Sequence, residues 1–578
     1  MGKFLLGLIT GAVLIVLVIV IGFFAVASLK SKPPTVADGS TLILRLSGDV
    51  PEKPPIELSI PILAEKTVVT VENVWSILRH ASADSRIKAV VFEPESAGVG
   101  WAKMQEIRSD LVEFRKSGKP LYAYLKTPGM REYYMATACS RIYMAPVDML
   151  NLKGVGLGLM YFRKTLDKLG VQVDVEHAGK YKDFGDMFTK TSMSPETKEV
   201  MNSLIDDLYG DLVNTISKGR SKDPALVRAI IDEGPFLSTQ AKAKGLVDEL
   251  RFEDEMFGEL KTALHQNELK KIADHDYLNV PESSSGQQDR IAFVVGEGSI
   301  TRGDPESDND TGIESEQFNK LLVKVGNDSG IKAVIVRIDS PGGEVTASDE
   351  MWRAMNELRK RKPVVISMSD AAASGGYYMA MSGDPIVAYP ATETGSIGVV
   401  FGKPNLHGFY DKIGITKDYV SRGRFALIDS DYQSLSDAGR EKLREGIDAN
   451  YDDFVAKVAA ARRKTRAQIE PIAQGRVWLG DQAKANGLVD ELGGIDRAIQ
   501  IVKQKAGIPV AGKVRLVVYP PKRSLLDVLM RSSGESEAEA MLSRAGLEPL
   551  RAAWHDDPLR VWMRGGMLRM MPYTIEFR

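Results

Sequence analysis

PVVISMSDAAASGGYYMAMSGDPIVAYPATETGSIGVV, residues 363–400, is the stretch around which the rest of the chain is organised. It opens on the apolar run Val364-Val365-Ile366-Ser367-Met368, which reads as a buried strand. Small residues follow, Ala371-Ala372-Ala373, then Ser374-Gly375-Gly376, and Tyr377 to Met381 reads as the first turns of a helix. Ser374 therefore stands where a strand hands over to a helix. A hydroxyl there faces free backbone N–H groups and the positive end of the helix dipole. Glycines beside it let another backbone approach closely. That is a good seat for a nucleophile, since the charge formed on attack finds donors in place. The competing reading of Ser374-Gly375-Gly376 is a tight turn with a capping serine.

Two copies of one unit make up the chain. Ile87-Lys88-Ala89-Val90 recurs as Ile331-Lys332-Ala333-Val334, Tyr133-Tyr134-Met135-Ala136 as Tyr377-Tyr378-Met379-Ala380, and Asp167-Lys168-Leu169-Gly170 as Asp411-Lys412-Ile413-Gly414, all offset by 244 residues. Gly245-Leu246-Val247-Asp248-Glu249-Leu250 recurs as Gly487-Leu488-Val489-Asp490-Glu491-Leu492, offset by 242. A domain-sized period means two homologous domains, not a solenoid. Within the second copy, strands at 291–295, 333–338 and 363–368 alternate with helices at 314–325 and 348–360. That is an α/β pattern with largely parallel strands and crossover helices. Ligand chemistry belongs at the carboxyl ends of such strands, where Ser340-Pro341-Gly342-Gly343 and Ser374-Gly375-Gly376 both fall. The expected organisation is a membrane anchor at 1–30, a first repeat at 31–280, a linker at 281–289, a second repeat at 290–510 and a C-terminal extension at 511–578.

The repeat is its own control. At the same offset, Ser374, Gly375 and Gly376 become Met130, Arg131 and Glu132, Ser340 to Gly343 become Ser96-Ala97-Gly98-Val99, and Ser396 becomes Leu152. The first copy keeps the surrounding Tyr-Tyr-Met-Ala but loses the serine and most of the glycines. This difference favours a functional Ser374 over a structural one.

With 578 residues the chain exceeds one core. A net charge of −2 gives no reason to invoke nucleic acid. One cysteine, Cys139, excludes an intrachain disulfide framework, and the six histidines are scattered without ligand spacing for zinc, so neither metal nor organic cofactor is expected. Phe4 to Leu29 is an uncharged run long enough to span a bilayer. Ala25-Val26-Ala27 resembles a signal-peptidase site, but the run exceeds the about 7–15 apolar residues of a signal-peptide core, which favours an uncleaved anchor.

A serine hydroxyl needs a base. His407 lies in a loop-like context without a carboxylate to orient it and reads as a surface or packing residue. A lysine made neutral by burial is the alternative. At this point the sequence resembles a family. Gly179-Lys180-Tyr181-Lys182 in the first copy, with Ser340-Pro341-Gly342-Gly343 and Ala373-Ser374-Gly375-Gly376-Tyr377 in the second, is similar to the motifs of the signal peptide peptidase A (protease IV) family in its long, two-repeat form. The resemblance implies two tandem Clp protease/crotonase-like domains, Ser374 as nucleophile, Lys182 as general base and Ser396 as the residue orienting the lysine amine. It further implies cleaved signal peptides and other small apolar peptides as substrates, a homo-oligomer of tetramer type, and a single-pass anchor in the bacterial inner membrane with the catalytic body on the exported side. The run after Lys182, Asp183-Phe184-Gly185-Asp186-Met187-Phe188, departs from the commonest family wording.

The residues agree with the transfer. Lys182 corresponds to Ala426, so one copy has the lysine and the other the serine, and the pair must form across the repeats. Lys180 would face the same side as Lys182 if the segment were extended. Gly342, Gly343 and Gly375 are candidate backbone donors to an oxyanion. They also leave backbone free for an extended peptide to dock by strand pairing, with small or apolar side chains expected. A crotonase-like acyl-CoA enzyme and a non-catalytic membrane scaffold on a protease fold are the alternatives.

Overall fold

The computed structural model describes residues 34–53, 68–281, 288–303, 312–521 and 567–571. The Phe4–Leu29 run, residues 282–287 of the expected linker and most of the C-terminal extension lie outside them. Among the described residues no helix is long and apolar enough to cross a membrane.

Each repeat builds a largely parallel sheet. In the first, Ser40–Asp49 pairs in parallel with Ile87–Gly98, which pairs with Leu121–Leu125, then Arg141–Met144. In the second, Asp289–Glu297, Ile331–Ser340 and Val364–Ala373 pair in parallel in that order. These strands are buried on both faces, which is why they read as nearly continuous apolar runs and not as alternations. Val514–Tyr519, placed in the C-terminal extension on sequence grounds, pairs in parallel with Asp289–Glu297 and so extends the second sheet past residue 510.

The fold explains why distant motifs repeat together. Tyr133 Oη donates to the Leu246 carbonyl at 2.8 Å, and Tyr377 Oη donates to the Leu488 carbonyl at the same distance. Arg220 pairs with Asp248 at 2.7 Å and Arg462 with Asp490 at 2.6 Å. Each repeat thus ties its central helix to its Gly-Leu-Val-Asp-Glu-Leu turn by the same hydroxyl–carbonyl bond, satisfying a polar atom that burial would otherwise strand.

Two features join the repeats. Gln172–Ala178 of the first pairs antiparallel with Val399–Asn405 of the second over seven residues, from Ala178↔Val399 to Gln172↔Asn405. Between the main sheets lies a buried ionic seam. Asp370 of the second repeat accepts from the Gly100 and Lys103 backbone N–H groups at 3.0 and 2.9 Å, capping the first-repeat helix Trp101–Arg115. Lys103 Nζ lies 2.7 Å from Asp339, and Arg337, wholly buried, meets both Glu52 and Glu106.

Candidate active site

Ser374 is placed by the end of one strand. Val364–Ala373 runs up to it, the helix Gly375–Met379 leaves from it, and the residue itself has φ +53°, ψ −112°. Such a conformation is rare for a residue with a Cβ and persists only where surroundings over-determine it. Here its N–H donates to the Gly395 carbonyl and its carbonyl accepts from Tyr378 N–H, both at 2.8 Å.

Lys182 arrives from the other repeat. The antiparallel strand Gln172–Ala178 ends beside Val399, and the chain then turns at Gly179, φ +111°. A Cβ at Gly179 would stand 2.6 Å from the Gln474 carbonyl carbon, so the turn is pressed against the second repeat where only glycine fits. Tyr181 N–H donates to the Gln474 carbonyl at 2.7 Å and fixes the segment there. The lysine stem passes between Gly398 and Gly475: added Cβ atoms would stand 3.0 Å from its Cδ and 2.6 Å from its Cβ.

The two residues meet. Lys182 Nζ lies 2.8 Å from Ser374 Oγ, 2.8 Å from Ser396 Oγ and 2.9 Å from the Ser396 carbonyl oxygen. All three side chains are fully buried. Every one of these partners is a neutral oxygen, so nothing in hydrogen-bonding contact compensates an ammonium charge. Burial accordingly drives the Lys182 amine well below an ordinary lysine; the neighbouring Asp183 charge pulls it up and the Arg569 charge pushes it further down. Asp183, itself pushed up to about 6 by burial, accepts from Thr197.

The remaining candidates fall into place or out of it. Lys180 does not share a face with Lys182, because 179–181 is a turn; its ammonium sits over the Tyr181 ring at 4.9 Å. His407 stacks on Tyr432 at 4.2 Å and approaches Asp411 at 3.5 Å on the surface. Ser340 Oγ accepts from Gly342 N–H at 3.2 Å, a turn role. Gly342 and Gly375 converge on one atom, the Arg569 carbonyl oxygen, which lies 2.0 Å and 3.0 Å from where their Cβ atoms would stand; Gly343 N is 3.1 Å from that of Gly375. Gly342 also has φ +104°. Gly342→Ala is expected to lower kcat/KM for a peptide by about tenfold or more. Gly48→Ala, at φ +67° with open space around it, carries backbone strain alone and is the control. An equal loss in both would reduce Gly342 to a folding role.

At the matching place in the first repeat, Met130 begins a helix, and the buried Glu132 carboxylate accepts from Ala97 and Gly129 N–H groups, both at 2.9 Å. In the first repeat, then, a buried carboxylate lies where the second repeat has Gly376. Reading the sequence missed Arg569 and the groups around it. Arg569 comes from a short strand, Met567–Met570, that gave no periodic signal.

Comparison with known proteins finds relatives along both repeats. The profile of peptidase family S49 matches residues 113–267 and 356–509, one match in each repeat, and that of Clp protease matches 297–394. The chain is 36% identical over 507 residues, 86% of its length, to 73% of the serine protease SPPA, chloroplastic, of Arabidopsis thaliana. It is 31% identical to Protease 4 of Salmonella typhi, over 87% of this chain and 84% of that one, and 29% identical to Protease 4 of Haemophilus influenzae, over 83% and 81%.

Proposed function

The chain belongs to peptidase family S49 and is a serine peptidase, and on that premise we propose that Ser374 is its nucleophile and Lys182 its general base. The observation that carries the proposal is the 2.8 Å contact between a buried, charge-unpaired lysine amine and the serine hydroxyl. Ser374 Oγ adds to a peptide carbonyl as its proton passes to Lys182 Nζ. The oxyanion is met by backbone donors at Gly342, Gly343 and Gly375. The C–N bond breaks, Lys182 returns the proton to the departing amine, and an acyl-enzyme remains on Ser374. Water adds to the acyl carbon as its proton passes to the same lysine, the C–Oγ bond breaks, and the lysine returns that proton to Ser374 Oγ as the acid leaves. Ser396 holds the amine, since a hydroxyl accepts from a neutral lysine without recharging it.

The substrate reading is an extended peptide lying as a strand between Gly342–Glu344 and Val399–Asn405. Cleaved signal peptides and other small, mainly apolar peptides are its proposed source. The proposal keeps Phe4–Leu29 as an anchor holding the body on the exported side of the inner membrane, and a homo-oligomer, a tetramer, as the assembly.

A fluorophosphonate, which phosphonylates an activated serine with loss of fluoride, tests the pair. Lys182 must be neutral to accept the proton. Labelling of Ser374 should therefore rise with pH as the amine deprotonates, with a midpoint well below that of a free lysine. Lys182→Ala should flatten the profile. A pH-rise unchanged in Lys182→Ala would remove the lysine from the mechanism.

A further inference from the structure

The cleft beside Ser374 is filled by the chain itself. Met567–Met570 pairs antiparallel with Gly342–Glu344 on one side, Gly342↔Met570 to Glu344↔Leu568, and with Val399–Asn405 on the other, Val400↔Leu568 and Phe401↔Met567. Met571 N–H donates to the Pro341 carbonyl at 2.7 Å. This is the position an extended peptide would take, with the Arg569 carbonyl oxygen against the glycines. Along it, Leu568 and Met570 pack in an apolar cluster with Phe184, Phe188 and Val400. Arg569 alone is charged, and it points elsewhere.

Its guanidinium, 1% exposed, lies 3.6 Å from the Tyr378 ring centroid and 5.3 Å from that of Phe454. Tyr378 Oη sits 2.6 Å from Asp349 and 2.7 Å from Asp453, and Lys457 Nζ contacts both carboxylates. Without an arginine the pocket holds two carboxylates against one ammonium; a second cation balances it. The arginine is held chiefly by the aromatic face. Its contacts to the Val345 carbonyl and to Asp453 are both 3.4 Å, and Nε has no hydrogen-bond partner. In the first repeat the corresponding Tyr134, 2.8 Å from Asp211, has Arg108 over the ring at 6.0 Å; the residue corresponding to Arg108 in the second repeat is Trp352, and two cations lie over the Tyr378 ring, Lys457 at 4.8 Å and Arg569 at 3.6 Å.

We infer that the pocket of Tyr378, Phe454, Asp349 and Asp453 is a specificity subsite for an arginine side chain on the residue whose carbonyl faces Gly342 and Gly375, and that Met567–Met570 occupies it in place of substrate. The inference rests on the peptidase reading above and sharpens it. The peptide taken is apolar along one face, as Leu568 and Met570 are, and carries one arginine at the residue before the bond to be cut. This departs from the small, apolar selection expected at that residue from the sequence.

Two quenched-fluorescence peptides test it on the unaltered full chain, one with the core Met-Leu-Arg-Met-Met and one with leucine in the arginine's place. The arginine peptide should be cut with a kcat/KM higher by about tenfold or more, the size that a desolvated cation–aromatic contact carries. Asp453→Asn should bring the ratio towards one. Arg569→Ala should lower the KM of the arginine peptide several-fold, because the resident competitor loses its anchor. Equal turnover of the two peptides would overturn the subsite while leaving the peptidase reading intact. An unchanged KM in Arg569→Ala would overturn the tail as occupant. The reverse failure reads differently: Ser374→Ala protein that binds the arginine peptide preferentially by fluorescence anisotropy, with no turnover of either peptide by the unaltered chain, would keep the subsite and sink the catalytic reading.

Discussion

Ser374→Ala and Lys182→Ala are each expected to reduce peptide hydrolysis by roughly a thousandfold or more, with folding unchanged by circular dichroism. Residues that act as one unit give losses of that size when either is removed, and the double variant should lose little beyond the singles. The structural reason is the absence of a substitute. Ser374 is the hydroxyl seated at the head of its helix among glycines, and no other base reaches its Oγ among the described residues. Lys182→Arg should not restore activity, because a guanidinium stays protonated at any working pH. Ser396→Ala should fall between, since it frees the amine to swing while leaving it present and leaving the Ser396 carbonyl as a partner. Lys180→Ala and His407→Ala should retain most activity, one side chain lying over Tyr181 and the other on Tyr432. Steady-state kinetics on these variants decides the matter. A fully active Lys182→Ala enzyme would refute the serine–lysine pair, and loss in His407→Ala alone would replace it with a serine–histidine one.

How much of this was legible depends on the range of the interactions concerned. The strand-to-helix seat of Ser374 is written in neighbouring residues: an apolar run, small residues, glycines, then aromatics. The duplication is legible by comparing the two copies position by position, even though the bond from each Tyr to the Leu carbonyl of its own turn joins residues 113 and 111 positions apart. Lys182 is different. Nothing in Gly179-Lys180-Tyr181-Lys182 distinguishes a buried base from a solvated lysine, and choosing it over Lys180 needed the family motif. The extended conformation that would have put both lysines on one face is replaced by a turn, because Gly179 is forced into φ +111° by contact with Gln474, a residue almost three hundred positions away. The pocket around Arg569 was invisible for the same reason. Its parts come from the helices Gly375–Met379, Val345–Arg359 and Asp437–Arg462 and from a four-residue strand near the C-terminus, too short to show a period.

Arg337→Ala is expected to destabilise the protein by about 3–5 kcal/mol and to lower activity with it. The charges concerned are buried in the structure. Arg337 of the second repeat is wholly enclosed and meets Glu52 at 2.7 Å together with Glu106, both from the first repeat; Glu106 also accepts from Ile495 N–H at 2.7 Å. The favourable field of Arg337 offsets the burial that raises both carboxylates, leaving Glu52 below its ordinary value, whereas Glu106 stays above its own. Deleting the guanidinium leaves Glu106 unpaired and Glu52 with only the Lys103 charge in a dry seam, and their cheapest escape is to take up protons or to part the repeats. The first escape makes the defect pH-dependent: Arg337→Ala should be least unstable in acid, where the carboxylates are neutral, and should worsen as pH rises through their titration. The second carries the loss of activity, because Lys182 and Ser374 belong to different repeats and a 2.8 Å contact does not survive their separation. Urea unfolding across pH, run beside peptide kinetics, reads both. Arg337→Met combined with Glu52→Gln and Glu106→Gln should recover most of the stability, since the cost lies in unpaired charge and not in lost attraction. If Arg337→Ala were as stable as the parent at neutral pH, or if the triple variant were no better than the single, the seam would not be what holds the two halves of the site together.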